Sequence, residues 1–230
     1  MESPKPLVSL DPVEVRVLGC LLEKSKTTPE YYPLTLNALT LACNQKSSRK
    51  PIVQYEEGTV TNALNSLTRK GLVNTASGGG SRVLKYKHNL DIVFDFTPAE
   101  EAVLCLLFLR GPLTPGEINS NSARLYAFHS LEEVLNVLEK LKQAEVPMVD
   151  QLPRQAGQKE QRVRHLFGTW VEVEEGQGRE EERQQQEAAL LSETLVKAGA
   201  QGLETRLELV ENELAALKDT VEKLLKELNG

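Results

Sequence analysis

Two stretches of this chain start a helix in the same way. Asp11-Pro12-Val13-Glu14 follows Leu10 and opens an apolar run over residues 15–22. Thr97-Pro98-Ala99-Glu100 follows Phe96 and opens another over 102–109, an offset of 86 positions. In each, an oxygen-bearing side chain stands at the N-cap, proline takes the first helical position, and glutamate follows three residues after the cap. That combination satisfies the orphan backbone N–H groups of a first turn from both sides. A start this specific, used twice, constrains the chain to two similar modules in tandem.

The first module, residues 1–90, reads as three helices followed by a hairpin. Helix one spans about 12–24, with Val13, Val17, Leu18, Leu21 and Leu22 on one face. Helix two carries Leu34, Leu36, Leu39 and Leu41 and ends near Cys43. Helix three spans about 57–70 with Val60, Ala63, Leu64 and Leu67 inward, and Gly71 is placed to stop it. Residues 72–76 and 82–86 predict paired strands joined by the glycine-rich tip 77–81. The second module, residues 91–170, repeats the order. Its helices are predicted over 98–110, from Thr114-Pro115-Gly116-Glu117, and over 131–143, and its hairpin runs from Met148 to Val163. Val134, Leu138 and Leu141 take the places of Val60, Leu64 and Leu67. Three helices plus a β-hairpin is the winged form of the helix-turn-helix. The predicted class is therefore α+β, mainly helical, with two tandem winged-helix domains.

After Trp170 the composition changes. Residues 171–190 predict a polar linker. Within 191–230, apolar residues recur in alternating steps of four and three at Leu203, Leu207, Val210, Leu214, Leu217, Val221, Leu224 and Leu228. This is a coiled-coil seam, with Arg206 set to face a partner's Glu211, and Glu213 its Lys218. It predicts a homo-oligomer, a dimer by preference. The plainer alternative is a single amphipathic helix folded back on its own domain.

No stretch approaches the ~20 consecutive apolar residues of a membrane span, and Met1 to Pro6 lacks a signal-peptide profile. The expectation is a cytoplasmic protein with no membrane contact. Cys20, Cys43 and Cys105 sit in apolar helical stretches and read as reduced core thiols. His88, His129 and His165 show no metal-ligand spacing, so no metal or other cofactor is expected. Gly78-Gly79-Gly80 leads into a strand rather than a helix and so is read as a turn, not a phosphate cradle. No serine, cysteine or carboxylate stands in a recognisable catalytic setting, which points away from an enzyme.

Several strings carry a family likeness: Arg16-Val17-Leu18-Gly19-Cys20-Leu21-Leu22-Glu23-Lys24, then Thr28-Pro29-Glu30-Tyr31-Tyr32-Pro33-Leu34-Thr35-Leu36-Asn37-Ala38-Leu39, and Arg110-Gly111-Pro112-Leu113-Thr114-Pro115-Gly116-Glu117. Ala42-Cys43-Asn44-Gln45-Lys46-Ser47 and His165-Leu166-Phe167 continue it. Over about residues 10–168 the chain resembles the YceH-like proteins, a family of uncharacterised bacterial proteins. The resemblance implies tandem winged helices, usually followed by a coiled coil, and no established activity, cofactor or catalytic residue. Where that family has arginines after Pro-Gly-Glu, this chain has Asn119 and Asn121.

Charge is unevenly distributed. Residues 1–90 hold 12 Lys/Arg against 7 Asp/Glu, residues 91–170 hold 8 against 11, and residues 171–230 hold 7 against 15. Only the front module favours a polyanion. Its candidate phosphate contacts are Lys46, Arg49 and Lys50 in the loop before helix three, and Arg82, Lys85 and Lys87 on the hairpin. Helix three would present Thr61, Asn62, Asn65 and Arg69 to a groove. Glu56 and Glu57 oppose this at the helix start. The rear third helix shows Glu132, Glu133, Asn136, Glu139 and Lys140, a poor DNA surface, while Arg154, Lys159, Arg162 and Arg164 give its hairpin local positive charge. The leading expectation is a protein that binds duplex DNA, of the transcription-regulator kind. The alternative is a non-catalytic scaffold for an unidentified protein partner.

Overall fold

A computed structural model describes residues 7–76, 83–154 and 160–168. The tip 77–81, Arg82, Lys159 and the expected linker and coiled coil (171–190 and 191–230) lie outside the described residues. The fold is α+β and mainly helical.

Both duplicated starts form as read. In α1 (Pro12–Thr27) Asp11 caps the N–H groups of Val13 and Glu14, while Glu14 reaches back to the Asp11 N–H at 2.7 Å. In α5 (Pro98–Arg110) Thr97 and Glu100 close the same reciprocal box. The Thr114–Glu117 pair closes a third box, at the start of α6 (Pro115–Asn121). The two N3 glutamates also serve tertiary structure. Each is buried at the foot of its module's third helix, α3 (Glu57–Arg69) or α7 (Leu131–Gln143). Lys70 meets Glu14 at 2.6 Å and Lys140 meets Glu100 at 2.8 Å. Burial pushes both carboxyls up, but the lysines and the cap N–H groups outweigh it and hold both below the usual range.

After a short 3-10 turn, Pro29–Tyr31, the front module departs from expectation at helix two. Its first residues are not helical. Leu34–Thr35 forms β1, and α2 is Leu36–Cys43. As N-cap, Thr35 is necessarily extended, and its Oγ accepts from the Ala38 N–H at 3.3 Å. Extended backbone next to the hairpin is available for pairing. With β2 (Val73–Ala76) and β3 (Lys85–His88), the sheet is therefore three-stranded, antiparallel, in the order β1-β3-β2. The returning strand begins three residues later than the sequence suggests, which pairs Thr75 and Leu34 with Tyr86. Gly71 takes φ +75° after α3, and the Leu72 N–H returns to the Leu67 carbonyl at 2.9 Å, a left-handed helix stop.

An unanticipated short helix, α4 (Leu90–Phe94), joins the modules and ends at Asp95 with φ +53°. In the rear module β4 (Val149–Gln151) pairs with β5 (Val163–His165). Leu113, just before α6, bridges Val163 from the side that β1 occupies in the front module. The ends of the described unit meet where the Leu10 N–H donates to the Phe167 carbonyl at 2.6 Å. A Cβ on Gly168 would lie 2.2 Å from the Leu10 carbonyl oxygen, so only glycine fits there.

One continuous hydrophobic core runs through both modules, and α1 packed against α5 is its centre. Gly19 and Cys105, which occupy equivalent positions of the repeat, face each other: Cys105 Sγ approaches the Gly19 carbonyl at 3.7 Å. A Cβ on Gly19 would lie 2.9 Å from Leu109 Cδ2 and 3.0 Å from Phe108 Cβ. At this separation an added Cβ would have to displace Leu109 and press on Phe108. Cys20, Cys43 and Cys105 are all free and buried. Gly19→Val is therefore expected to overpack the crossing and lower stability by about 2–3 kcal/mol, read as a shifted urea midpoint.

His165 lies in the same core, its ring edge-on to Phe108 at 5.1 Å. Neither ring nitrogen has a hydrogen-bond partner. Burial, with Arg164 adding to it, pushes the imidazole from 6.5 down to about 4. The folded protein holds the neutral ring, whereas the unfolded chain takes up a proton near the ordinary value. The stability that this residue supplies is thus complete above about pH 6.5 and is lost as pH falls through about 4. Between pH 7 and pH 5 the parent should lose about 2 kcal/mol more stability than His165→Phe, a difference that paired urea titrations would show.

Candidate nucleic-acid interface

The outward side of α3 is set by its core stripe. With Val60, Ala63, Leu64 and Leu67 turned inward, Asn62, Asn65 and Arg69 are exposed and Thr61 is half-buried. The Thr61 hydroxyl donates to the Glu57 carbonyl within the helix, at 2.8 Å. Gly58, in the first turn, would meet nothing within 4 Å if given a Cβ. Glu56 has no side-chain capping bond, and Glu57 receives the Asn37 amide at 3.4 Å, which draws that carboxylate toward α2.

The flanking cations separate into two kinds. Arg49 is corrected from a surface contact to a buried strut. Its guanidinium grips both oxygens of Glu23, at 3.0 and 2.5 Å, and also bonds Gln45 and the Ala42 carbonyl. A phosphate cannot reach it. Burial pushes the Glu23 carboxyl up, yet the Arg49 bonds and charge hold it below the usual range. Arg16 is buried as well and donates to the carbonyls of Cys43 and Pro51. Together these two guanidiniums fasten the loop before α3. The backbone N–H of Lys50 reaches the Leu109 carbonyl at 2.8 Å, and Arg110 reaches Ser48, so the loop rests on the C-terminus of α5. The sequence carried no signal for Arg16: it stands on the opposite side of α1 from Val17, Leu18 and Leu21, and it is buried because α1 is covered all round from Glu14 to Leu22.

Lys46, Lys50, Arg69, Lys85 and Lys87 make no ion pair among the described residues. Lys46 and Lys87 are exposed, and Lys50 and Lys85 are half-exposed. The loop lysines follow α2, whereas the strand lysines lie beside β1, which precedes it. Eight residues of helix, about 12 Å, set the two pairs apart with α3 beside them. Three other described front cations are engaged internally: Lys24 with Glu23, Lys26 with Glu101, Lys70 with Glu14. On the rear hairpin, Arg154 is exposed, Arg164 pairs with Asp150 at 3.5 Å, and Arg162 reaches Glu117 and the Pro112 carbonyl.

Ser25, His88 and Asp91 superficially suggest a nucleophile relay, with Oγ to Nε2 at 3.1 Å and Nδ1 to Oδ1 at 3.9 Å. The Ser25 proton, however, is directed to the Leu22 carbonyl at 2.8 Å. Oγ then accepts from the imidazole, the reverse of base-assisted attack. Tyr32 locks the same corner, its hydroxyl accepting from the His88 backbone N–H at 2.7 Å. No three metal-ligating side chains converge among the described residues, and no described helix is long and apolar enough to cross a membrane.

A family model described as "Protein of unknown function, DUF480" matches residues 10–158. The chain belongs to that family. A UPF0502 protein of Opitutus terrae is 53% identical over 170 residues, covering 74% of each chain. A UPF0502 protein of Shewanella woodyi is 44% identical over 216 residues, covering 92% of this chain and 97% of its own. The strings that resemble the YceH-like proteins agree with this bacterial membership. Neither the family description nor the relatives' names state an activity, so the functional reading rests on the geometry above.

Arg49 provides a direct test of that geometry. Arg49→Ala strands Glu23 in a largely buried site and is expected to lower stability by about 3 kcal/mol. Lys46→Ala, at an exposed position, should change stability by less than about 0.5 kcal/mol. Denaturant titration of the two variants separates the strut from the surface lysine.

Proposed function

We propose that this protein binds duplex DNA through its front module, as a tandem winged-helix protein of the transcription-regulator kind. The observation that carries the reading is the arrangement around α3. Lysines without ion pairs stand toward both ends of α2, and α3, packed beside α2, presents two amides and an arginine at helical spacing. Lysines of this kind supply phosphate contacts, and asparagine can pair with adenine in a major groove. Gly58 supports the same reading. A glycine in a helix lowers helix propensity, and here no neighbour requires the bare backbone. Close approach of a ligand would require it.

Fluorescence anisotropy with a random duplex tests the proposal. Four phosphate contacts would weaken binding by roughly 10²-fold between about 50 and 200 mM salt. Lys46→Glu with Lys50→Glu, or Lys85→Glu with Lys87→Glu, should each weaken binding and flatten the salt dependence. Absence of binding at the lower salt would refute the reading.

The seam from Leu203 to Leu228 would pair two chains and bring two front modules to one duplex, raising the effective concentration of the second contact. Light scattering on the full chain should give a dimer mass. Leu214→Asp with Leu217→Asp should give a monomer mass.

A further inference from the structure

The third helix of the rear module has the same inward stripe as α3 and a different outward face. In the alignment of Val134, Leu138 and Leu141 with Val60, Leu64 and Leu67, Leu131 stands at the place of Glu57, Leu135 at that of Thr61, and Glu139 at that of Asn65. Leu131 and Leu135 are 40% and 46% exposed, one helical turn apart. Leu135 also lines a cleft of about 230 Å³ at α7 and β4, apolar at Leu138, Val149 and Val163 and polar at Glu139, Lys142 and Asp150. The space suits a large aliphatic side chain. Paired leucines at a half-apolar cleft form a patch, unlike a single exposed leucine, which needs no explanation.

The charges around this patch are unbalanced. Lys140 is drawn off to Glu100 at 2.8 Å and Arg164 to Asp150 at 3.5 Å, while Lys142, at the cleft, donates to the neutral Gln151 amide oxygen at 3.2 Å and keeps its charge. Glu132 and Glu139 make no ion pair among the described residues, and both are exposed on the face that carries the leucines. Two carboxylates without ion pairs against the single charge of Lys142 leave this face net negative, which disfavours a nucleic acid and complements a cationic partner.

We propose that the outward face of α7 binds a cationic amphipathic segment of a partner protein. One aliphatic side chain of that segment seats in the α7–β4 cleft, and flanking lysines or arginines face Glu132 and Glu139. The inference is independent of duplex binding by the front module, since it uses no residue of that surface.

The probe is a fluorescein-labelled synthetic peptide with leucines at i and i+4 among lysines, titrated into the full chain at about 50 mM salt. The expected result is saturable binding, with amide shift changes confined to residues 131–142 and 149–151. Leu135→Glu, or Glu132→Lys with Glu139→Lys, weakens binding at least about tenfold. These positions are exposed, so the variants should keep the parent's circular dichroism melt. A peptide with serine for leucine, or glutamate for lysine, does not saturate. No saturation by the leucine–lysine peptide, parent-like binding by Leu135→Glu, equal binding of the serine peptide, or shifts on α3 would each overturn the proposal. So would concentration-dependent self-association abolished by Leu135→Glu, which assigns the face to a second copy of this chain.

Discussion

The close approach of α1 to α5 is the constraint from which the rest of residues 10–168 follows. Gly19 and Cys105 are the same position of a repeated module, and they meet. The module therefore packs against its own duplicate through its first helix, at a separation that a single added carbon would contest. A helix covered on one side by its own module and on the other by the duplicate has almost no solvent face. That is why α5 is buried from Ala99 through Leu109 and α1 from Glu14 through Leu22. A charged residue on such a helix must find its partner inside.

Glu14, Arg16, Glu23, Glu100 and Glu101 are those charged residues, and each is answered by a named group. Lys70 answers Glu14, two backbone carbonyls answer Arg16, Arg49 answers Glu23, Lys140 answers Glu100, and Lys26 answers Glu101. Removing one partner of a buried pair leaves the other without hydration or compensation, so these contacts specify where α3, the loop before it and α5 must sit. They also change the meaning of the front module's positive balance. Much of that charge is structural and invisible to a polyanion. Any attraction for phosphate comes from the smaller set on the loop and the strand.

What could be read from the sequence divides along the same line. The helix starts were legible because a capping box is local: Asp11, Pro12 and Glu14 need only one another. The inward stripes of α3 and α7 were legible because period alone assigns Val60, Leu64 and Leu67, or Val134, Leu138 and Leu141, to one face. Arg49 was misread because its surroundings are assembled from α1 and the end of α2, which are distant in sequence. Loop arginines of this sort look solvated until Glu23 is brought beside them. The strand at Leu34–Thr35 was missed because its pairing depends on β3, fifty residues further on. His165 gave no signal, since nothing in the order of residues shows that Phe108 will exclude water from its ring.

The two third helices carry one core stripe beneath two different outward faces. Their core positions are interchangeable, because both must fit beneath a first helix of the same shape. Their outward positions are not: Glu57, Gly58, Thr61 and Asn65 on α3 stand where α7 has Leu131, Glu132, Leu135 and Glu139. Because a single core joins the modules, α3 and α7 belong to one body. On the two proposals above, a protein segment on α7 and a duplex on α3 would be kept in fixed relation by the close crossing at Gly19.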